Sequence, residues 1–299
     1  GDGQFGLARE IAVDRLNRYH VVDEFNDRVQ VFDSNGTYLY QYGGFGNGQG
    51  QFRLPQGIAI DTSGSSDKVY ICDTYNERVQ VLTTSGQYIT QLGTTGQQGD
   101  GNYLFTRPRG VNVDSTGNVF IADTFNHKIK RYDSNLSFKY SVGMGTSATE
   151  PLYPNQVRPL GNRLFMVSDT GNSQLIVYEE STRGTSASLK YKIGTPRTSD
   201  GVFSECHSAV VDSSGNVYIS DSFNHRIKKF DSNGNLIAKW GKNNGAGGTS
   251  NFGWFNGQFN VPRQLWFDNQ NNRIFVADTG NNRIQVLSTS GTYITKFGL

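Results

Sequence analysis

The sequence predicts an all-β fold, a six-bladed β-propeller with four antiparallel strands in each blade. Six times along the chain, roughly 50 residues apart, an Asp is followed three residues later by an Asn and then by a short apolar strand. The six pairs are Asp23/Asn26, Asp73/Asn76, Asp123/Asn126, Asp169/Asn172, Asp221/Asn224 and Asp278/Asn281. A unit of this size that recurs over the whole chain predicts a closed array of similar sheets.

Composition supports this prediction and excludes other classes of protein. The 36 Gly, 19 Phe and 15 Tyr, set against 2 Met and 7 Pro, are typical of many short aromatic-rich strands separated by turns. The net charge of +2 argues against a dedicated nucleic-acid-binding protein, which needs a concentrated basic surface. No run of 18 apolar residues occurs, so we predict no membrane insertion.

The second repeat shows how each blade is built. Residues 57–61 form a short apolar strand, and residues 68–73, 78–82 and 88–93 form three more strands separated by short polar turns. Such short connections predict an antiparallel meander. The first two strands are apolar on both faces, whereas the third and fourth alternate polar and apolar residues, as expected nearer the rim.

The ends of the chain fit a closed ring. The last strand, residues 293–298, is a fourth strand, and residues 1–5 form a linker that precedes a first strand. We therefore predict one domain over residues 1–299, with no strand exchanged between the first and last blades and a ring closed by side-chain packing. The predicted blades are approximately residues 1–43, 44–93, 94–143, 144–194, 195–241 and 242–299.

The repeats resemble the NHL repeat. The resemblance rests on Pro-x-Gly-Ile-Ala-Ile-Asp, on Val-Tyr-Ile-x-Asp-Thr-x-Asn-x-Arg-Val-Gln-Val and on a Gly-rich linker that ends in Gly-Gln-Phe. Repeat four departs from it, because Gln174 replaces the basic residue and Pro159 interrupts the first strand. The family includes protein-binding scaffolds, RNA-binding domains, secreted modules and an amidating lyase, so the resemblance implies a fold without selecting a function.

The recurring Asp and Asn residues are interpreted as turn chemistry. We expect the Asp to cap the turn after the second strand, the Asn to adopt the left-handed conformation, and the following basic residue to pair with a nearby carboxylate. Six similar copies in one ring favour this structural task over a metal site.

The main site candidate is the residue after the Pro that opens a first strand, or its equivalent in blades one and five, where Ala8 and Cys206 take the place of the Pro. These six residues are predicted to converge at one mouth of the central channel, and they are Arg9, Gln56, Arg109, Asn155, His207 and Arg263. The turns after the second strands should lie on the same face, and their aromatic residues are Phe25, Tyr75, Phe125 and Phe223. Three Arg, one His and four aromatic rings would make a ligand site there.

Enzymatic chemistry finds little support. If this chain were one of the amidating lyases of that family, the resemblance would imply zinc-binding His residues from several blades at this position. Only His207 occupies it here, while a catalytic zinc needs about three protein ligands. No Gly-x-Ser-x-Gly elbow occurs either. We predict no catalytic residue, no metal and no cofactor. Cys72 and Cys206 fall in opposite blades and are predicted to be free thiols.

The predicted function is a non-enzymatic binding or assembly scaffold for a protein or glycan partner. Besides the mouth, the longest linker carries Phe252, Trp254 and Phe255, and Trp254 is included in the predicted binding surface. Self-assembly, single-stranded RNA binding and a lyase or hydrolase activity are the alternatives. The acceptor patterns at Asn35 and Asn135 favour a secreted protein without fixing its compartment.

Overall fold

The computed structural model describes residues 1–143, 151–193, 203–241 and 253–298. It confirms the predicted fold, because six four-stranded antiparallel sheets follow one another along the chain and each pairs its strands in sequence order. Inner strands of neighbouring sheets are in contact all the way round the ring, including the first with the last. None of the described sheets contains a strand from another blade, so the predicted mode of closure is also confirmed.

The first three blades contain strands β1 to β12. Blade one comprises Ala8–Val13 (β1), Tyr19–Asp23 (β2), Arg28–Phe32 (β3) and Tyr38–Gly43 (β4). Blade two comprises Ile58–Asp61 (β5), Lys68–Asp73 (β6), Arg78–Thr83 (β7) and Tyr88–Leu92 (β8). Blade three comprises Pro108–Val113 (β9), Val119–Asp123 (β10), Lys128–Tyr132 (β11) and Phe138–Gly143 (β12).

The last three blades contain strands β13 to β24. Blade four comprises Pro154–Gly161 (β13), Leu164–Asp169 (β14), Gln174–Glu180 (β15) and Ala187–Ile193 (β16). Blade five comprises Cys206–Val211 (β17), Val217–Asp221 (β18), Arg226–Phe230 (β19) and Leu236–Gly241 (β20). Blade six comprises Pro262–Asp268 (β21), Arg273–Asp278 (β22), Arg283–Ser288 (β23) and Tyr293–Phe297 (β24).

Short 3-10 helices follow the second strand of five blades within the described ranges. Their bounds are Glu24–Asn26, Thr74–Asn76, Thr124–Asn126, Ser222–Asn224 and Thr279–Asn281. None of the helices described here is long and apolar enough to cross a membrane.

Packing between faces of adjacent sheets supplies the core and closes the ring. At the junction of the last and first blades, Phe5 and Phe32 pack with Phe275, Ile284 and their neighbours in one buried cluster. The five other junctions bury clusters of the same kind. Burial of apolar surface at each junction is therefore the force that holds the ring together.

The third strands differ from the sequence-based expectation. Their polar residues alternate with apolar ones, which suggested strands near the rim, yet Gln30, Gln80, Lys130 and Gln285 are almost completely buried. Gln80 donates to the Asp73 carboxylate at 3.0 Å and to the Gln51 carbonyl at 2.7 Å. The polar residues of the third strands therefore alternate with apolar ones because they bind buried polar groups, and not because they face solvent.

Close approach of inner strands requires glycine at position 57. A Cβ atom on Gly57 would lie 2.4 Å from the Arg109 carbonyl oxygen and 3.1 Å from the Cys72 sulfur. We expect Gly57→Ala to lower the free energy of unfolding by about 2–3 kcal/mol through overpacking, measured by chemical denaturation. Gly64→Ala is the control, because the nearest atom to its Cβ would be 3.7 Å away. Equal effects of the two substitutions would contradict this explanation.

Candidate ligand-binding site at the mouth of the ring

The recurring Asp residues hold the mouth face in place. Asp73 is fully buried, and its carboxylate accepts hydrogen bonds from the Arg53 backbone N–H at 2.8 Å, from Asn76 at 2.9 Å and from Arg78 Nε at 2.8 Å. Each of the other five Asp residues likewise accepts a backbone N–H from the linker that leads into its own blade, at 2.6 to 2.8 Å. The carboxylate therefore ties the linker to the turn, next to the residues that form the mouth.

Two details of the predicted turn chemistry were wrong. The Asp side chains make no capping hydrogen bond to the described 3-10 helices, since the linker N–H groups occupy them instead. The left-handed residue is the one after the Asn, for example Glu77 or His127, while the Asn donates its side-chain amide to the Asp. The Asn is thus needed for its donor group rather than for its backbone conformation.

His127 and His225, which follow the Asn in blades three and five, have structural partners. Nδ1 of His127 accepts the Tyr153 backbone N–H at 3.1 Å, and Nδ1 of His225 accepts the Val261 backbone N–H at 3.0 Å. Asp27 accepts the Leu54 N–H in the same way in blade one. These contacts join the turn of one blade to the linker of the next.

The six residues that were predicted to meet at the mouth of the ring converge in the structure. Five of them, Arg9, Gln56, Arg109, His207 and Arg263, line one cavity of about 350 Å³ at the mouth of the ring. Asn155 joins them through its side-chain amide, whose Nδ2 lies 2.8 Å from Nδ1 of His207. The structure therefore brings the six equivalent residues together at one cavity.

Two networks of polar contacts order part of the mouth. In the first, Arg9 donates to Gln56 at 2.8 Å and lies 3.5 Å from a Glu24 carboxylate oxygen, while Gln56 donates to Glu24 at 2.7 Å. In the second, Nε2 of His207 lies 2.7 Å from the Glu205 carboxylate. These contacts orient Arg9, Gln56 and His207.

The second network sets the charge of its members. Burial lowers the pKa of His207 and outweighs the opposing effect of the Glu205 hydrogen bond. Burial alone would raise the pKa of Glu205, but the hydrogen bond from His207 and the nearby arginines lower it. A neutral imidazole with Nδ1 accepting from Asn155 and Nε2–H donating to an ionised Glu205 satisfies both tendencies.

Arg109 and Arg263 find no carboxylate partner among the described residues. Both are half-buried, and the Nε atom of each is buried with no hydrogen-bond partner. The Arg109 guanidinium lies 5.3 Å from the centre of the Phe125 ring. Burial, together with the charge of Arg9, lowers the pKa of Arg109. Unmet donors of this kind at a cavity favour an anionic ligand.

The aromatic residues divide into three groups. Phe25 lines the cavity and is 62% exposed. Phe125 lies beside Arg109, and Tyr75 is covered by the Arg107 guanidinium at 3.7 Å. Phe223 and Trp254 are exposed but do not line the cavity, so their place in a common site stays a prediction. Phe252 of the Trp254 linker lies outside the described residues.

The structure adds Glu24 to the site. In the five other blades the residue after the Asp is Thr or Ser, and its hydroxyl donates to the carbonyl that opens the next blade at 2.6 to 2.9 Å. Glu24 takes this position in blade one and reaches into the cavity instead. Comparison of the six repeats at this position would have found it.

Glu205, Leu7 and Thr170 also line the cavity without having been predicted. Glu205 stands directly before Cys206, at a position where Leu54, Arg107, Tyr153 and Val261 occur in other blades. These five residues share a left-handed backbone, with φ of 46° to 58°. No local pattern predicts this conformation for such residues, because side chains with a Cβ atom rarely adopt it.

A buried polar cluster joins the inner strands next to the mouth residues. Glu10 is buried, accepts a hydrogen bond from Gln156 at 2.9 Å and a short one from Gln264, and accepts the Ile58 N–H at 3.2 Å. Gln156 in turn accepts from Ser208 at 2.7 Å. This cluster joins the inner strands of blades one, two, four, five and six. Burial raises the pKa of Glu10 to about 8, against lowering by Arg158 and Arg9.

The described residues do not bring together a set of metal ligands. No group of three or more His, Cys, Asp or Glu within them is arranged to hold a metal ion, and both nitrogens of His207 have protein partners. Cys72 and Cys206 are free and buried, as predicted, and burial raises the pKa of both thiols.

The fold and the cavity together define a six-bladed propeller with a polar pocket at one mouth. The chain belongs to the family described as 6-bladed beta-propeller, whose model matches residues 63–236, more than half of the sequence. The model of the NHL repeat matches residues 259–287, in agreement with the resemblance seen in the sequence.

A curated relative is the mouse peptidyl-glycine alpha-amidating monooxygenase, which is 37% identical over 82 residues. That match covers 27% of this chain and 8% of the mouse protein, so this chain matches only a small part of that relative.

Solved structures share the fold at low sequence identity. An auxiliary nutrient binding protein from Bacteroides thetaiotaomicron has a TM-score of 0.69 at 15% identity, over 95% of this chain and 69% of that one. A gluconolactonase from Xanthomonas campestris has a TM-score of 0.62 at 14% identity, over 92% and 84%. A catalytically inactive virginiamycin B lyase from Staphylococcus aureus has a TM-score of 0.62 at 10% identity, over 98% and 84%. Binding proteins and enzymes thus share this architecture.

Proposed function

We propose that this propeller is a non-enzymatic binding platform for a protein or glycan partner, and that the mouth cavity binds an anionic group of that partner. The observation that carries the proposal is the pair of half-buried arginines, Arg109 and Arg263, whose buried Nε atoms lack partners. A carboxylate in the cavity that both residues line would supply the missing acceptor, and guanidinium groups bind carboxylates through strong charge-assisted hydrogen bonds.

The cavity offers little for covalent catalysis. Its only hydroxyl side chain among the described lining residues is Thr170, which already donates to the Cys206 carbonyl at 2.9 Å. His207 is engaged at both nitrogens and is not positioned beside a nucleophile. This supports binding over the lyase or hydrolase alternative.

The distribution of basic groups supports a protein or glycan partner over RNA. Arg28, Arg78, Arg226 and Arg283 each pair with the buried Asp of their own blade, at 2.7 or 2.8 Å. Arg107 lies 3.5 Å from Glu77. Cations that are neutralised within the fold cannot also neutralise a chain of phosphates.

The proposal is tested with the double variant Arg109→Gln/Arg263→Gln on arrays of glycans and peptides. We expect the wild-type protein to retain members that carry carboxylates or other anionic groups, and the double variant to lose at least about tenfold in affinity for them. Arg163→Gln is the matched control, since Arg163 is exposed and contacts Glu179 and the Glu180 carbonyl away from the cavity. Binding that survives unchanged in the double variant, or a wild type that retains no anionic member, would refute the proposal.

A further inference from the structure

We infer that the mouth cavity recognises a sugar acid, a hydroxylated ring that bears one carboxylate, either free or as the terminal unit of an acidic glycan. This inference rests on the proposed function and names the ligand class of the same cavity. Three features of the cavity carry it: the net charge, an unsatisfied buried carboxylate oxygen and an exposed aromatic ring.

The net charge of the cavity matches a ligand with one negative charge. Three arginines, Arg9, Arg109 and Arg263, and two carboxylates, Glu24 and Glu205, line it. Because burial favours neutral His207, these groups leave a single positive charge. A monocarboxylate balances that charge, whereas a phosphate dianion exceeds it and would be repelled by Glu24 and Glu205. A zwitterion such as an amino acid would leave the charge uncompensated.

Glu24 requires a hydrogen-bond donor from the ligand. Its side chain is buried, one oxygen accepts from Gln56 at 2.7 Å, and the other, Oε2, is buried without a hydrogen-bond partner. Arg9 lies 3.5 Å from Oε2 and does not form a hydrogen bond with it. A buried acceptor without a donor is unfavourable, so a ligand hydroxyl at this place would recover the lost hydrogen bond.

Phe25 supplies an apolar face. Phe25 lines the cavity and is more than half exposed, whereas Glu24, the preceding residue of the same turn, is buried. The C–H face of a pyranose ring can pack on such an aromatic surface while its hydroxyls and carboxylate face the polar groups. A cavity of about 350 Å³ is at the small end of ligand sites, in keeping with one sugar unit.

Isothermal titration calorimetry with four probes tests this inference: sodium D-glucuronate, D-glucose, glycine and inorganic phosphate. We expect D-glucuronate to bind at least about tenfold more tightly than each of the others. A disaccharide that ends in glucuronate distinguishes a free sugar acid from the terminal unit of a glycan. Tighter binding of the disaccharide than of glucuronate indicates a glycan end, and equal binding indicates the free acid.

Two single variants examine the ligand-facing groups. Glu24→Gln keeps the size of the side chain and is expected to weaken glucuronate binding about tenfold, because the loss of a charged acceptor for the ligand hydroxyl outweighs the removal of one negative charge from the cavity. Phe25→Ala, at an exposed position where folding is not at risk, is expected to weaken it about fivefold through lost packing. Arg163→Gln should leave binding unchanged. Thermal unfolding of each variant confirms that it is folded.

The outcomes separate this inference from the proposed function. If glycine or phosphate binds better than glucuronate and depends on Arg109 and Arg263, the sugar-acid inference is wrong and the anion-binding proposal stands. If glucuronate binds equally well to Glu24→Gln and Phe25→Ala as to the wild type, the inference is again wrong. If none of the anionic probes binds and the arrays also retain no anionic member, both are wrong.

Discussion

Replacing Asp73 by Asn is expected to lower the free energy of unfolding by about 3–5 kcal/mol, because the substitution leaves Arg78 buried without its counter-charge. Arg78 is 2% exposed and its Nε lies 2.8 Å from the Asp73 carboxylate. The remaining partners of Arg78 are neutral, at Gly48, Gln51, Gln91 and Thr95. Denaturation by urea measures the change.

Blade four provides the control for this substitution. Asp169 has the same burial and accepts from Leu152 N–H at 2.6 Å and from Asn172 at 2.8 Å, but neutral Gln174 stands in the place of the arginine. Asp169→Asn introduces the same amide without stranding an arginine, so we expect it to cost about 1–2 kcal/mol. If the two substitutions cost the same, the ion pair does not account for the effect at Asp73.

Stability should depend on the ionisation of Glu10. The pKa of Glu10 is raised from 4.5 to about 8 in the folded protein. Between these values the folded state holds a proton that the unfolded state has released, so the free energy of unfolding falls as the pH rises through this range. The shift corresponds to roughly 5 kcal/mol in total. The positive charges of Arg158 and Arg9 lower the pKa of Glu10, and the value of about 8 already contains their contribution.

Glu10→Gln tests this dependence, because Gln resembles the protonated carboxyl in shape and charge. We expect the variant to unfold with a free energy near that of the wild type at about pH 5 and to exceed it by several kcal/mol at about pH 8 and above. Taking the difference between the two proteins removes the contributions of other titrating groups. A difference that is constant across this pH range would show that Glu10 is already ionised in the folded protein.

The repeat pattern was sufficient to predict the fold. The spacing of the Asp residues, the short turns and the in-phase ends of the chain specified six sequential blades, and each is a local property of the sequence. The pattern also identified equivalent positions, which is why Arg9, Gln56, Arg109, Asn155, His207 and Arg263 could be predicted to meet. Their convergence follows from the symmetry of the ring and requires no knowledge of side-chain contacts.

The local chemistry of the turns was predicted less well. The left-handed residue was assigned to Asn26 and its equivalents because Asn tolerates that conformation, yet the next residue adopts it. The side-chain amide of Asn26 is needed as a hydrogen-bond donor to the buried Asp23, which fixes the position of the Asn in the turn. Asp23 also accepts the backbone N–H of Gly6, 17 residues away. Non-local hydrogen bonds of this kind override the local preference.

The sequence by itself determined the scaffold, the ring of blades and the equivalent positions of the six blades that meet at its mouth. Only the tertiary structure decided which of those residues have a carboxylate partner and which are left to bind. Arg9 lies beside Glu24 and His207 donates a hydrogen bond to Glu205, whereas Arg109 and Arg263 find no carboxylate within the described ranges. The reason is physical: pairing requires two side chains to come within about 4 Å of each other, and a repeat pattern specifies position in the ring without specifying such distances.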